Sequence, residues 1–313
     1  MKPVVTLGET MGLFRAASIG SLAHVSDFTL GIGGAESNVA IALTRLGTPA
    51  RWLGRVGADP IGRRVVRELR AEGVDVRAIV DPGAPTGIMV KEQRTSDATR
   101  VQYYRAASAG SRLCIDDLAA ADIPNAALLH VTGITPALST SAHEAVLEAI
   151  SIASAAGIPV SFDINHRPSL WRDDPAPVYR ELASAAQIVF AGDDEARLLF
   201  PDSATPLELA HHIADLGPSQ VVIKLGEAGC VAVIDGTEYQ RDALAIRAVD
   251  TVGAGDAFVA GYLAELLAGL SVDDRLNTAV TLGAFACLNS GDWEGLPTRD
   301  ELGLLTRSEP VQR

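Results

Sequence analysis

The sequence predicts an α/β fold: a mostly parallel central sheet flanked by helices on both faces, with a small antiparallel β lid. Three observations lead there. From residue 126 onward, short apolar runs alternate with helical periods, and strand–helix alternation builds right-handed βαβ units that bury a parallel sheet on both faces. Earlier in the chain several strand-like runs follow one another without long helices, which suits an antiparallel set. Four polar clusters, at 133–135, 163–167, 226–229 and 253–256, fall just behind expected strands, where open α/β sheets bind ligands.

Residues 4–7 form a short apolar run ending at Gly8, the expected first core strand. Segments 12–15 and 22–30 read as strands of a small sheet. The glycines of 31–34 form a loop, and 35–46 continue as a helix stopped by Gly47. Asn38, one turn inside that helix, either faces a ligand or lies on a polar helix face. Residues 51–56 read as a strand, and Asp59-Pro60 opens a helix through 70, with proline suited to the first turn. Runs 75–80, 87–91 and 101–104 read as further strands, grouped here with the lid. The alternating part then places strands at 127–131, 159–162, 188–190 and 220–225, with helices at 141–156, 176–185, 194–200 and 206–216. A hairpin at 230–241 turns on Asp235-Gly236. Residues 244–249 read as a strand leading into a helix at 257–270, and a helix at 272–289 closes the fold.

The 313 residues, 48% of them hydrophobic, are enough for one large domain, 1–313, whose lid is formed by roughly 10–32 and 86–107. No apolar run reaches membrane-spanning length and no signal-peptide pattern opens the chain, so no membrane partner is expected. Cys114, Cys230 and Cys287 show neither metal spacing nor a disulfide framework, which fits a reduced, cytoplasmic setting. A net charge of −13 argues against a nucleic-acid partner but leaves room for a local arginine cluster that binds an anionic small molecule. The apolar lid strands predict a homo-oligomer joined through the lid.

The most chemically loaded stretch is Asp250-Thr251-Val252-Gly253-Ala254-Gly255-Asp256-Ala257-Phe258. Glycines at a helix start allow close backbone approach, and the free N–H groups there attract anions. With Asp256 in the first turn, the stretch is either an anion cradle beside a base, suited to phosphoryl transfer to an alcohol, or a plain turn with a helix-favourable carboxylate. It is neither a Walker A motif nor a GxGxxG fingerprint, which disfavours a dinucleotide oxidoreductase.

DTVGAGDAF resembles the C-terminal signature of the ribokinase-like (PfkB) carbohydrate kinases. GGAESNVAIALTRLG at 33–47 resembles their N-terminal substrate motif, and GRVGADPIG at 54–62 resembles the segment behind their second core strand. The similarity runs over roughly residues 4–298. Within the family, YYRAASAGSR at 103–112, TGITPALS at 132–139 and FDINHRPSLW at 162–171 look like the 2-keto-3-deoxygluconate kinases. That substrate carries a carboxylate, and arginine offers a planar fork that matches one.

The resemblance implies ATP-dependent phosphorylation of the terminal C6 hydroxyl of this acidic sugar, with Mg²⁺, and it leaves room for K⁺. It implies catalytic roles for Asp256, Gly253, Ala254 and Gly255, and substrate contacts from Gly33, Gly34, Asn38, Tyr103, Arg105, Arg167, Asp256 and Asp292. Of Tyr103 and Tyr104, which point to opposite faces of a strand, Tyr103 shares a face with Arg105. Glu9 and Asp27 are expected in solvated or capping roles. For nucleotide it implies Asn165, Arg167, Lys224, Gly226, Gly229 and the 253–255 glycine turn. Glu195 would support Mg²⁺ through water, and Asp250 a monovalent-cation site. Two positions depart from the family pattern: Gly192 stands where an asparagine is usual before Glu195, and Met89 where a tyrosine is usual near the sugar. A kinase for the galactonate epimer, fructose or ribose, and a non-catalytic sugar- or nucleotide-binding regulator, are the rival readings.

Overall fold

Neighbouring residues of the first strand, β1 (Val4–Leu7), enter different cores. Val4 packs on one side of the central sheet, and Val5 and Leu7 on the other, as the two-residue period of a strand requires. The computed structural model describes residues 1–95 and 98–305; residues 96–97 of the expected lid and 306–313 of the expected domain lie outside the described residues.

Beside β1 stand β4 (Ala50–Gly57) and β5 (Asp75–Asp81) on one flank. On the other stand β8 (Leu128–Thr132), β9 (Val160–Asp163), β10 (Ile188–Gly192) and β11 (Gln220–Lys224), all pairing parallel. The hairpin β12 (Cys230–Ile234) and β13 (Thr237–Arg241) adds two antiparallel strands, for nine in all. Asp235 and Gly236 take φ of 50° and 78° at its turn, the positive pair that a two-residue type I′ turn needs.

One face of the sheet is covered by α1 (Ala35–Arg45), α2 (Pro60–Ala71), α7 (Ala254–Leu267) and α8 (Val272–Cys287). The other is covered by α3 (Thr140–Ala155), α4 (Ala176–Ala185), α5 (Asp193–Leu199) and α6 (Pro206–Ala214). Phe190 of β10 meets Tyr262 and Phe258 of α7 edge-on, with ring centroids 5.3 and 6.4 Å apart. These contacts pin α7 to the sheet, so the N-terminus of α7 is a fixed platform. No helix among the described residues is long and apolar enough to cross a membrane.

The lid is a second sheet, β3–β2–β6–β7, built from β2 (Met11–Ala16), β3 (Phe28–Gly33), β6 (Ile88–Thr95) and β7 (Ala98–Tyr104). Its outer pairs are antiparallel and its central pair, β2–β6, is parallel. The register aligns Leu13, Met89 and Tyr103 across three strands, and Met11, Leu13 and Met89 form a small buried cluster on one face.

Two expected strands are corrected. Segment 75–80, grouped with the lid from sequence, is the edge strand β5 of the central sheet, paired parallel with β4 after the α2 crossover. Segment 244–249 joins no sheet; the N–H of Val249 instead donates to the Cys287 carbonyl at the end of α8. Apolar alternation reports a half-buried extended chain but not whether its neighbour is a strand. Helix α7 also starts three residues earlier than expected, because Ala254 and Gly255 carry no apolar period.

Candidate active site

The carboxyl ends of the parallel strands and the inner face of the lid meet around an open cleft. Glu9 and Gly34 reach it from the loops after β1 and β3, and Met89, Lys91 and Tyr103 from the lid. Arg105 follows β7, Arg167 follows β9, and Gly253, Asp256 and Asp292 close the floor.

Gly253 is the N-cap of α7 at φ 82°, in the left-handed region that glycine tolerates. A Cβ there would lie 2.0 Å from the Asp292 carbonyl oxygen, so only glycine lets the two chains close. The Ala254 N–H donates to the Thr251 carbonyl in a long bond of 3.3 Å. The N–H groups of Gly253 and Gly255 have no acceptor among the described residues, an arrangement that, with the helix dipole, suits an anion. The Lys224 ammonium stands 3.5 Å from where a Cβ on Gly255 would be. It is held by both oxygens of Asp163 at 2.8 and 2.9 Å. Burial by itself would lower its pKa, but the Asp163, Glu195 and Asp256 carboxyl groups together outweigh that and raise it.

Asp256 lies in the first turn of α7, 7% exposed. Its two oxygens accept one bond each, from Asn38 Nδ2 at 2.8 Å and Asn165 Nδ2 at 3.1 Å. Burial pushes its carboxyl up; the Asn38 amide, the Arg167 and Lys224 charges and the Asn165 amide oppose that rise. Asn165 sits at φ 41° in the loop after β9, and that turn aims its amide at Asp256. The same side chain that the resemblance assigns to the nucleotide thus also donates to the carboxylate.

Arg105 is 8% exposed, with Nε and Nη2 both 2.7 Å from Glu9 Oε2. Ser108 Oγ donates to the other Glu9 oxygen, and the Tyr103 ring lies 5.6 Å from the guanidinium. Glu9 is therefore not solvated, as expected from sequence, but buried as the clamp of Arg105. Arg167 Nη1 donates to the His166 carbonyl at 2.9 Å, and Arg167 forms no ion pair among the described residues, so it is the freer cation. Tyr104 points away, 59% exposed. Gly33 faces Asp292 Oδ2 and Met89 Cε, 2.3 and 2.4 Å from where its Cβ would be. A Cβ on Gly34 would fall 2.3 Å from the Glu9 carbonyl. Asp27 is exposed.

Three further residues of the expected site have defined surroundings. Glu195 accepts the N–H of Gly192 at 2.6 Å and of His166 at 2.8 Å, so both oxygens already hold main chain and Glu195 is first a helix cap. Asp250 is paired with the Lys91 ammonium. Gly229 turns its bare Cα toward β13, where a Cβ would meet the Arg241 carbonyl at 2.0 Å, whereas Gly226 is open. Among the described residues no group of three or more His, Cys, Asp or Glu could hold a metal ion.

Lys91 escaped the sequence reading, and the sequence named Glu9 without its pairing to Arg105. A signal existed for Lys91: it lies two residues after Met89 on one strand, and so on the same face.

The chain matches the model of the pfkB family of carbohydrate kinases over residues 1–299. It is 39% identical to a 2-dehydro-3-deoxygluconokinase of Bacillus subtilis (strain 168) over 95% of this chain and 93% of that protein. It is 34% identical to a 2-dehydro-3-deoxygalactonokinase of Haloferax volcanii over 97% and 96%. The structure of a PfkB protein from Polaromonas sp. JS666 superposes with a TM-score of 0.88 at 35% identity, covering 97% of this chain and 99% of that one. With motif, sheet order and site in agreement, the chain belongs to the pfkB family of carbohydrate kinases.

Proposed function

We propose that this kinase transfers the γ-phosphoryl group of MgATP to the C6 hydroxyl of 2-keto-3-deoxygluconate, giving the 6-phosphate and ADP. The observation that carries the reading is the Asp256 carboxylate, gripped by Asn38 and Asn165 beside the free N–H groups of Gly253 and Gly255, in a cleft that also holds Arg105 and Arg167. The sugar carboxylate pairs with Arg167 and with the donors of Arg105 that Glu9 leaves free. Tyr103 and Asp292 border the sugar, and Gly33 and Gly34 let it approach the main chain. Asp256 takes the proton of the C6 hydroxyl as that oxygen bonds to phosphorus. The bond from phosphorus to the bridging oxygen breaks, and ADP leaves. The 253–255 turn and Lys224 stabilise the transferring group where charge spreads over its oxygens. Gly226, in the open loop after β11, gives the nucleotide access. Mg²⁺ would enter as part of the MgATP substrate and would lower the charge of its phosphates. A resident K⁺ does not fit, because Lys91 already neutralises Asp250.

The Haloferax volcanii relative favours one second reading, the galactonate epimer, since the two acids share every group that the arginines recognise. A coupled ADP-release screen with both epimers, fructose and ribose tests the proposal. Turnover of an acidic sugar should exceed that of the neutral ones, and equal rates on fructose would refute it. Asp256→Asn should lower kcat by about 10²–10⁴-fold while sugar affinity changes less than about tenfold; near-normal turnover would exclude Asp256 as the base.

A further inference from the structure

The lid contributes one charged group that neither transfer nor carboxylate recognition uses. Lys91, on β6, is only 3% exposed. Its ammonium is paired with Asp250 Oδ2 and lies 3.6 Å from Asp292 Oδ1. Neither Lys91 Nζ nor Asp292 Oδ1 has a directional hydrogen bond, so what joins them is charge rather than bond geometry.

Both carboxylates border the turn that builds the anion site. Asp250 Oδ1 accepts the Val252 N–H at 3.2 Å and so shapes the turn from within. The Asp292 main chain closes on Gly253 from outside. Asp292 and Asp250 are 5% and 8% exposed, with Asp256 beside them in the same cleft. Burial works against ionising three carboxyl groups with little water, pushing Asp292 up to about 7, and the Lys91 charge opposes that rise. Lys91 supplies that charge from a different sheet, on a tether that no dilution can remove.

We propose that the Lys91 ammonium is a built-in monovalent cation. It neutralises Asp250 and Asp292, holds the 250–253 turn in the form that presents the free N–H groups of α7, and makes the site independent of added K⁺. The activity arm of this inference rests on the phosphoryl-transfer reading; the thermal arm does not.

The test compares KCl, NaCl and tetramethylammonium chloride at equal ionic strength, using the wild-type protein, Lys91→Ala and Lys91→Ser. The melting temperature and turnover of the wild type should be the same in all three salts, because a site already filled binds no ion and gains no stability from one. The smaller side chains open the site. Each variant should melt higher in KCl than in tetramethylammonium chloride, and a kcat reduced by about tenfold or more should recover in part with K⁺. Four outcomes would overturn the proposal. One is K⁺-dependent stabilisation or activation of the wild type, and another is variants with unchanged kcat. The third is a loss that no alkali ion restores. The last is a rise in KM for the acidic sugar alone, which would make Lys91 a reader of the substrate carboxylate. Should neither variant fold, the wild-type salt series decides. Failure of the phosphoryl-transfer reading would show separately, as no ADP formation in any salt with thermal behaviour unaffected.

Discussion

Asp256 has two opposed influences on its proton, and they can be separated. Burial raises its pKa, while the Asn38 and Asn165 amides donate to the ionised form. A general base works only when deprotonated, so kcat/KM should fall as pH drops through the Asp256 pKa. That limb should lie above the ordinary aspartate value of about 3.9. Asn38→Ala removes a donor that favours the anion, so the limb should move to higher pH. The kcat/KM–pH profile of the free enzyme checks this; a limb that stays or moves down would show that Asn38 does not tune the base. Identifying Asp256 needed only its place in the glycine turn. Identifying what grips it needed the fold, since Asn38 and Asn165 lie 218 and 91 residues away in the chain.

Helix α7 makes a second expectation measurable. Gly253 and Gly269 flank its two ends, both left-handed, with φ of 82° and 74°. They differ in surroundings: a Cβ at 253 strikes the Asp292 carbonyl, and one at 269 meets nothing within 4 Å. Gly269→Ala should cost only the left-handed strain, about 1 kcal/mol, and leave kcat unchanged. Gly253→Ala should cost about 1–2 kcal/mol more, because main chain must also move, and should lower kcat as the anion site distorts. Chemical denaturation with kcat on both variants checks this; equal stabilities would mean that the Gly253–Asp292 approach is not tight in solution. The helix itself was legible from its apolar run and flanking glycines. Its first turn was not, because Ala254 and Gly255 have no side chains large enough to carry a period.

The cleft exists only because two sheets face each other. Arg105 follows the last lid strand and Arg167 follows a core strand, so a ligand that spans the cleft touches both. Glu9 partly neutralises Arg105, which leaves Arg167 as the stronger reader of an acid. Arg167→Ala should therefore lower kcat/KM for the acidic sugar by about 10–100-fold, the worth of a charged hydrogen bond, and affect fructose much less. Steady-state kinetics on both substrates decides it, and equal losses would remove Arg167 from carboxylate recognition. Sequence placed both arginines near the site but treated them as equivalent. Their difference comes from a carboxylate that follows the first strand, almost a hundred residues before Arg105.

The fold class, the order of strands and helices, the clusters behind the strands and the 253–256 turn follow from residue spacing alone. Two- and 3.6-residue periods and the conformations open to glycine are local properties of the chain. Partners across the fold are another matter. Segment 75–80 became a core edge strand, Glu195 a helix cap and Asn165 a grip on Asp256, and Lys91 took the charge of Asp250. Each depends on which strands are neighbours and in what register, and those contacts come from packing the helices and the two sheets around shared cores. Local spacing carries no distance between residues that far apart, so only the tertiary structure could decide which charges meet in the cleft.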